Sequence, residues 1–155
     1  MATGSFGARA VADEGVALCR AGDWDKGMQL LGQLVEQKGL SDDLPGTAYS
    51  FLGFGIARFQ KKVREGLKLC DHAVRIQFYE PDNHLNSARV HLLARNRRAA
   101  VEAIGRGLKL DPHHAALRGL RQEIGIRKRP VLPFLSRNNP LNRLLGRMRH
   151  DFSGD

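Results

Sequence analysis

The sequence predicts an all-α fold: about three tandem helical hairpins, followed by a capping helix and a basic C-terminal extension. Three observations carry that prediction. Small residues recur at a fixed spacing, apolar residues recur at helical intervals between them, and breakers cut the pattern into segments of similar length.

The first segment holds Gly15, then Gly27 twelve residues on, then Leu34 seven further. The second holds Gly53, Gly66 and Ala73, at spacings of thirteen and seven, and the third holds Ala88, Ala100 and Gly107, at twelve and seven. Successive first members lie 38 and 35 residues apart. Two antiparallel helices joined by a short turn need small side chains where their axes cross, so that the backbones can approach. Apolar stripes fill the intervals: Val11, Gly15, Leu18 and Cys19 in one helix, then Met28, Leu31, Leu34 and Val35 in the next. Turns are expected at Ala21-Gly22-Asp23, Gln60-Lys61-Lys62 and Arg95-Asn96-Arg97. Breakers at Gly39 to Pro45, Glu80-Pro81-Asp82 and Asp111-Pro112-His113 separate the hairpins. A final amphipathic segment, Ala115 to Ile126, places Leu117, Leu120 and Ile124 on one side and reads as a capping helix. These boundaries give a helical repeat domain over 8–126 and an extension over 127–155.

Several stretches resemble the tetratricopeptide repeat (TPR) family. Tyr49-x-x-Leu52-Gly53-x-x-Ile56 is similar to the first helix of that repeat. Gly22-Asp23-Trp24-Asp25-Lys26-Gly27 resembles its inter-helix turn, and Ala100 to Pro112 resembles a complete second helix with the terminal Pro. The likeness covers roughly residues 8–114. It departs from the family in the first repeat, which lacks the closing Pro at the expected place and runs into an irregular loop from Gly39 to Gly46, in the extra residues of the second, and in His91 where an aromatic is usual.

The resemblance implies a short right-handed solenoid that works as a scaffold or adaptor, holding a partner segment in a concave groove lined by the first helix of each repeat. By spacing, the groove stripe comprises Arg9, Ala12, Val16 and Arg20, then Thr47, Ser50, Phe54 and Arg58, then Asp82, Leu85, Arg89 and Leu92. Arg20, Phe54, Arg58 and Arg89 are the expected partner-binding residues, suited to a segment that combines acidic and apolar side chains. The alternative is that these arginines form an ordinary solvated face. The two-carboxylate clamp of the family's chaperone adaptors is largely absent, because its positions correspond to Ala12, Val16, Phe51, Asp82 and Asn86.

Composition is that of a globular domain, with 42% hydrophobic and 26% charged residues. The absence of a long apolar run argues against a bilayer span, and the polar start of the chain argues against export, so a cytoplasmic location is expected. Cys19 and Cys70 sit on apolar helical patterns and are expected to be buried thiols, against the alternatives of a disulfide or a reactive thiol.

The net charge of +9 is uneven. Residues 1–114 hold 16 Lys/Arg against 13 Asp/Glu, whereas residues 115–150 hold nine against Glu123 alone. In the extension, Asn139-Pro140 starts a short amphipathic helix with Leu141, Leu144, Leu145 and Met148 on one side. Phe134, Arg143, Arg147 and Arg149 are its expected contact residues. They could dock on the chain's own repeats, on a partner or second copy, or on an anionic surface of membrane or nucleic acid. The last of these is the alternative function, and the oligomeric state stays open.

No enzyme chemistry is expected. His72, His84, His91, His113, His114 and His150 form no zinc-spaced cluster with cysteine, so neither a metal site nor a catalytic residue is assigned. Gly105-Arg106-Gly107 falls inside an expected helix rather than before one, so no phosphate loop and no cofactor follow.

Overall fold

In the computed structural model, which describes residues 3–125, seven helices and no strands are found among the described residues. They are α1 (Thr3–Arg20), α2 (Trp24–Lys38), α3 (Gly46–Phe59), α4 (Val63–Ile76), α5 (Pro81–Leu93), α6 (Arg97–Leu110) and α7 (Ala115–Glu123). Helices α1 and α2, α3 and α4, and α5 and α6 pack as pairs, and α7 rests on α6. Neighbouring pairs meet chiefly through α3, which touches α1, α2 and α5. The helical unit runs to Ile124.

The three hairpin turns share one backbone geometry. Each carries a left-handed residue, Gly22 (φ 91°), Lys61 (φ 62°) and Arg95 (φ 58°). Each then places its N-cap residue at nearly the same angles: Asp23 at −81°/70°, Lys62 at −87°/67° and Asn96 at −93°/74°. The first and third turns close with the six-residue helix-ending hydrogen bond, Asp23 N to Leu18 O and Asn96 N to His91 O. Asp23 and Asn96 then cap the next helix by accepting from the Lys26 and Ala99 amides. A left-handed residue costs little at Gly22, whereas Lys61 and Arg95 hold it against a steric penalty of roughly 1–2 kcal/mol each.

Small residues set the distance within each pair. A Cβ placed on Gly66 would lie 2.5 Å from the Gly53 carbonyl oxygen, and one on Gly53 would lie 2.8 Å from the Gly66 oxygen. In the first hairpin a Cβ on Gly27 would come within 2.9 Å of the Gly15 carbonyl. Ala88 and Ala100 take the equivalent places in the third and are fully buried.

Between pairs, polar groups specify the fit. Tyr49 is fully buried, and its phenol oxygen lies 2.9 Å from the Gly39 and Ser41 carbonyls and 3.0 Å from the Ser41 amide. It pins the loop between α2 and α3. Asn83, also fully buried, accepts from Ser50 Oγ at 2.8 Å and donates to the Gln77 and Ala73 carbonyls. Asn86 donates in turn to Ser50 Oγ. Buried amides survive only when their donors and acceptors are matched, and this set ties α3 and α5 to the end of α4.

Two boundaries differ from expectation. The capping helix ends at Glu123 rather than Ile126, because Gly125 turns left-handed (φ 58°) and the Arg97 guanidinium donates to the Ile124 carbonyl. The third turn lies one residue earlier than expected, with Arg97 already the first residue of α6. No helix among the described residues is long and apolar enough to cross a membrane.

Candidate functional site

A connected array of aromatic and charged side chains runs from the end of α1, across α3, to α5 and the start of α7. Thr47, Phe51, Phe54 and Arg58 fall at i, i+4, i+7 and i+11 of α3 and therefore share one face of that helix. Trp24, the first residue of α2, lies against three rings of α3. Its ring centroid is 6.2 Å from that of Phe51, 5.4 Å from Phe54 and 5.7 Å from Phe59. The Asp23 cap, which starts α2 at Trp24, sets that position.

Two guanidinium groups lie over this platform. Arg20, the last residue of α1, sits 5.3 Å from the Phe51 centroid, and Arg89 of α5 sits 5.1 Å from that of Phe54. Both are within reach of the ring quadrupole, an attraction of about 0.5–2 kcal/mol each, depending on desolvation. Arg20 also pairs with Asp82, whose other carboxylate oxygen accepts from His114 Nε2 at 3.0 Å. His114 Nδ1 accepts the Leu117 amide and so caps α7. Asp82 therefore links the first hairpin to the seventh helix. Arg89 is half-buried, and desolvation lowers its pKa against the opposing pull of the Asp82 and Glu123 carboxylates. A guanidinium stays charged through such a shift, so Arg89 remains a cation held in a poorly hydrated place.

The expected partner-binding residues are thus brought together in part by direct contact. Arg89 lies on Phe54, and Phe54 meets Trp24, which stacks on the ring beneath Arg20. Arg58 is exposed on the same face of α3 and makes no ion pair among the described residues. The rest of the expected stripe divides. Ala12, Val16, Ser50 and Leu85 are buried among the helices, and Leu92 is half-buried, while Arg9 lies far from this array, at the cleft described below. Phe134, Arg143, Arg147 and Arg149 lie outside the described residues.

Sequence reasoning missed the ring platform beneath the arginines. Phe51 stands three residues before Phe54, a spacing that puts two aromatics on one helix face. Trp24 follows the capping Asp23, which orients it toward the neighbouring helix.

His72 and His84, like His114, have structural partners. His84 Nε2 donates to the Phe78 carbonyl at 2.7 Å, and His72 Nδ1 accepts from Arg75 while Nε2 donates to the Ser41 carbonyl. Among the described residues, no group of three His, Cys, Asp or Glu side chains is placed to hold a metal ion. Cys19 and Cys70 are free and buried. Burial, reinforced by Asp23, pushes the Cys19 thiol up to about 11, and burial pushes Cys70 further in the same direction.

Compared with known proteins, the chain matches no protein-family model, and no curated protein matches its sequence.

Proposed function

We propose that this protein is a TPR-type scaffold or adaptor, and that the face built on α1, α3 and α5 is a concave groove that holds an acidic, apolar segment of a partner protein. The observation that carries the reading is the arrangement of Arg20 and Arg89 over Phe51 and Phe54, with Arg58 exposed beside them. Guanidinium groups on aromatic rings keep their planar N–H edges available for carboxylates, while the half-buried Phe54 and Trp24 and the exposed Phe59 offer apolar surface beside the buried Phe51. The turn geometry that the three hairpins share, a left-handed residue followed by an N-cap at nearly the same angles, supports reading them as tandem units of one kind. Two free, buried thiols suit a reducing cytoplasm.

Arg20 and Arg89 already have internal neighbours, so the exposed Arg58 carries most of the recognition of charge. Trp24 is the chain's single tryptophan and touches the platform, which makes its fluorescence a local reporter. Titration with a peptide of alternating Glu and Leu should change Trp24 emission saturably. Arg58→Glu should weaken that response about tenfold or more, the size of one charge-assisted hydrogen bond exchanged for repulsion. An unchanged response in that variant would overturn the assignment.

A further inference from the structure

A cleft of about 760 Å³ lies elsewhere, between the start of α1, the loop joining α2 to α3, and the end of α4. It shares no residue with the array around Trp24. Arg9 and Arg75 line it, with His72 beside them and Asp42 as the one carboxylate among the described lining residues. Leu44 and Ile76 supply apolar wall, and Leu40 (57% exposed) and Tyr79 (60% exposed) stand at it as large apolar side chains without cover. Phe78, 65% exposed, packs edge-to-face on Tyr79 at 5.7 Å and extends that apolar surface. Three of the five large hydrophobic residues exposed on the described chain therefore gather at this one edge.

The walls are fixed before anything binds. Tyr49 holds both Gly39 and Ser41, and His72 Nε2 adds a second bond to the Ser41 carbonyl. Gln77 Oε1 accepts the Gly46 amide at 2.8 Å, and Asn83 holds the Gln77 carbonyl at 3.0 Å. Arg75 donates to His72 Nδ1 at 2.7 Å, which anchors one nitrogen of its guanidinium and leaves its other N–H groups for a ligand. A cleft whose loop and arginine are already ordered loses little entropy on binding.

We infer that this cleft is a second docking site, and that its occupant is an extended peptide segment of a partner protein carrying a carboxylate next to a bulky apolar side chain. Charge complementarity selects the carboxylate, because two guanidinium groups and a single aspartate line the cleft among the described residues. The uncovered Leu40, Tyr79 and Phe78 select the apolar neighbour, because apolar surface gathered at one edge gains most from being covered. The cleft is of a size that holds a few residues rather than a folded domain. This inference stands whether or not the Trp24 face binds anything.

The test is a ¹⁵N NMR titration of the full chain with the peptide acetyl-Leu-Glu-Leu-Glu-Phe-amide, alongside inorganic phosphate at the same concentration. The expected result is saturable shifts at the amides of Leu40, Gly46, Gln77 and Tyr79. Arg75→Glu should weaken that binding about tenfold or more, and Arg58→Glu should leave it unchanged. Tyr79→Ala, an exposed substitution that leaves the fold intact, should weaken it several-fold. Three results would overturn the inference: no shifts at these amides up to millimolar peptide, equal binding by wild type and Arg75→Glu, or phosphate alone reproducing the full pattern. The last would reduce the site to a bare anion contact.

Discussion

Placing one methyl group at two different glycines should move stability in opposite directions. Gly66 and Gly105 are both interior helical positions, in α4 and α6, so Gly→Ala brings the same gain in helix propensity at each, about 0.8–1.0 kcal/mol. At Gly105 nothing lies within 4 Å of the new Cβ, so the gain stands alone. At Gly66 the Cβ would sit 2.5 Å from the Gly53 carbonyl oxygen and 2.8 Å from Ala57 Cβ. Both neighbours are backbone or directly attached to it, so no side chain can rotate away and α3 and α4 must move apart. Overpacking of this kind costs about 1–3 kcal/mol, and the stiffness of the neighbours places it near the upper end. After the propensity gain, Gly66→Ala should be less stable than wild type by about 2 kcal/mol, and Gly105→Ala more stable by about 0.8 kcal/mol. The two variants then differ by about 3 kcal/mol, which at a urea m-value near 2 kcal/mol/M separates their midpoints by roughly 1.5 M. Equilibrium urea unfolding followed by far-UV circular dichroism measures this. A Gly66→Ala midpoint at or above that of Gly105→Ala would refute the close crossing of α3 and α4.

Lys61→Gly and Arg95→Gly should each stabilise by about 0.5–1 kcal/mol, because glycine relieves the left-handed penalty while adding some unfolded-state entropy; thermal unfolding reads this as a rise of a few degrees, and a fall would contradict the turn geometry. Asn83→Ala should destabilise by about 2–3 kcal/mol, since Ser50 Oγ and the Gln77 and Ala73 carbonyls lose a buried partner; a loss under about 0.5 kcal/mol in urea would mean that water replaces the amide. Both thiols should resist alkylation in the native chain and react once it unfolds. Because the folded pKa of Cys19 is raised from 9.0 to about 11, the native state holds its proton where the unfolded state has released it. Stability should therefore decline as pH rises from about 9 to about 11, a slope that Cys19→Ser should reduce.

The sequence made the hairpin crossings legible because close backbone approach leaves few options. Gly15, Gly27, Gly53 and Gly66 could be read as crossing points from spacing alone. The face of α3 was harder to read. Ten of its fourteen residues are buried, because α1, α2, α4 and α5 all pack on it, and a helix covered on most sides carries no polar stripe to orient it. Spacing therefore chose Ser50 for the groove, where Phe51 lies under Arg20 and Ser50 sits in the interior. Asn83 and Asn86 were invisible for a related reason: polar side chains in a helix normally signal solvent, and only the three-dimensional partners reveal that these two are buried. The Arg20–Asp82–His114 link joins residues 62 and 32 positions apart, a separation that no local pattern encodes.

The α1–α3–α5 face, rather than the basic extension, is the surface proposed to engage a partner. Affinity capture from native lysate, with the full chain, a chain ending at Arg127 and the Arg58→Glu variant washed at low and high salt, tests that claim. One defined protein retained by the first two at high salt and lost by Arg58→Glu is the expected result. Retention that requires residues 128–155, vanishes at high salt and ignores Arg58→Glu would contradict it and assign the binding to the extension.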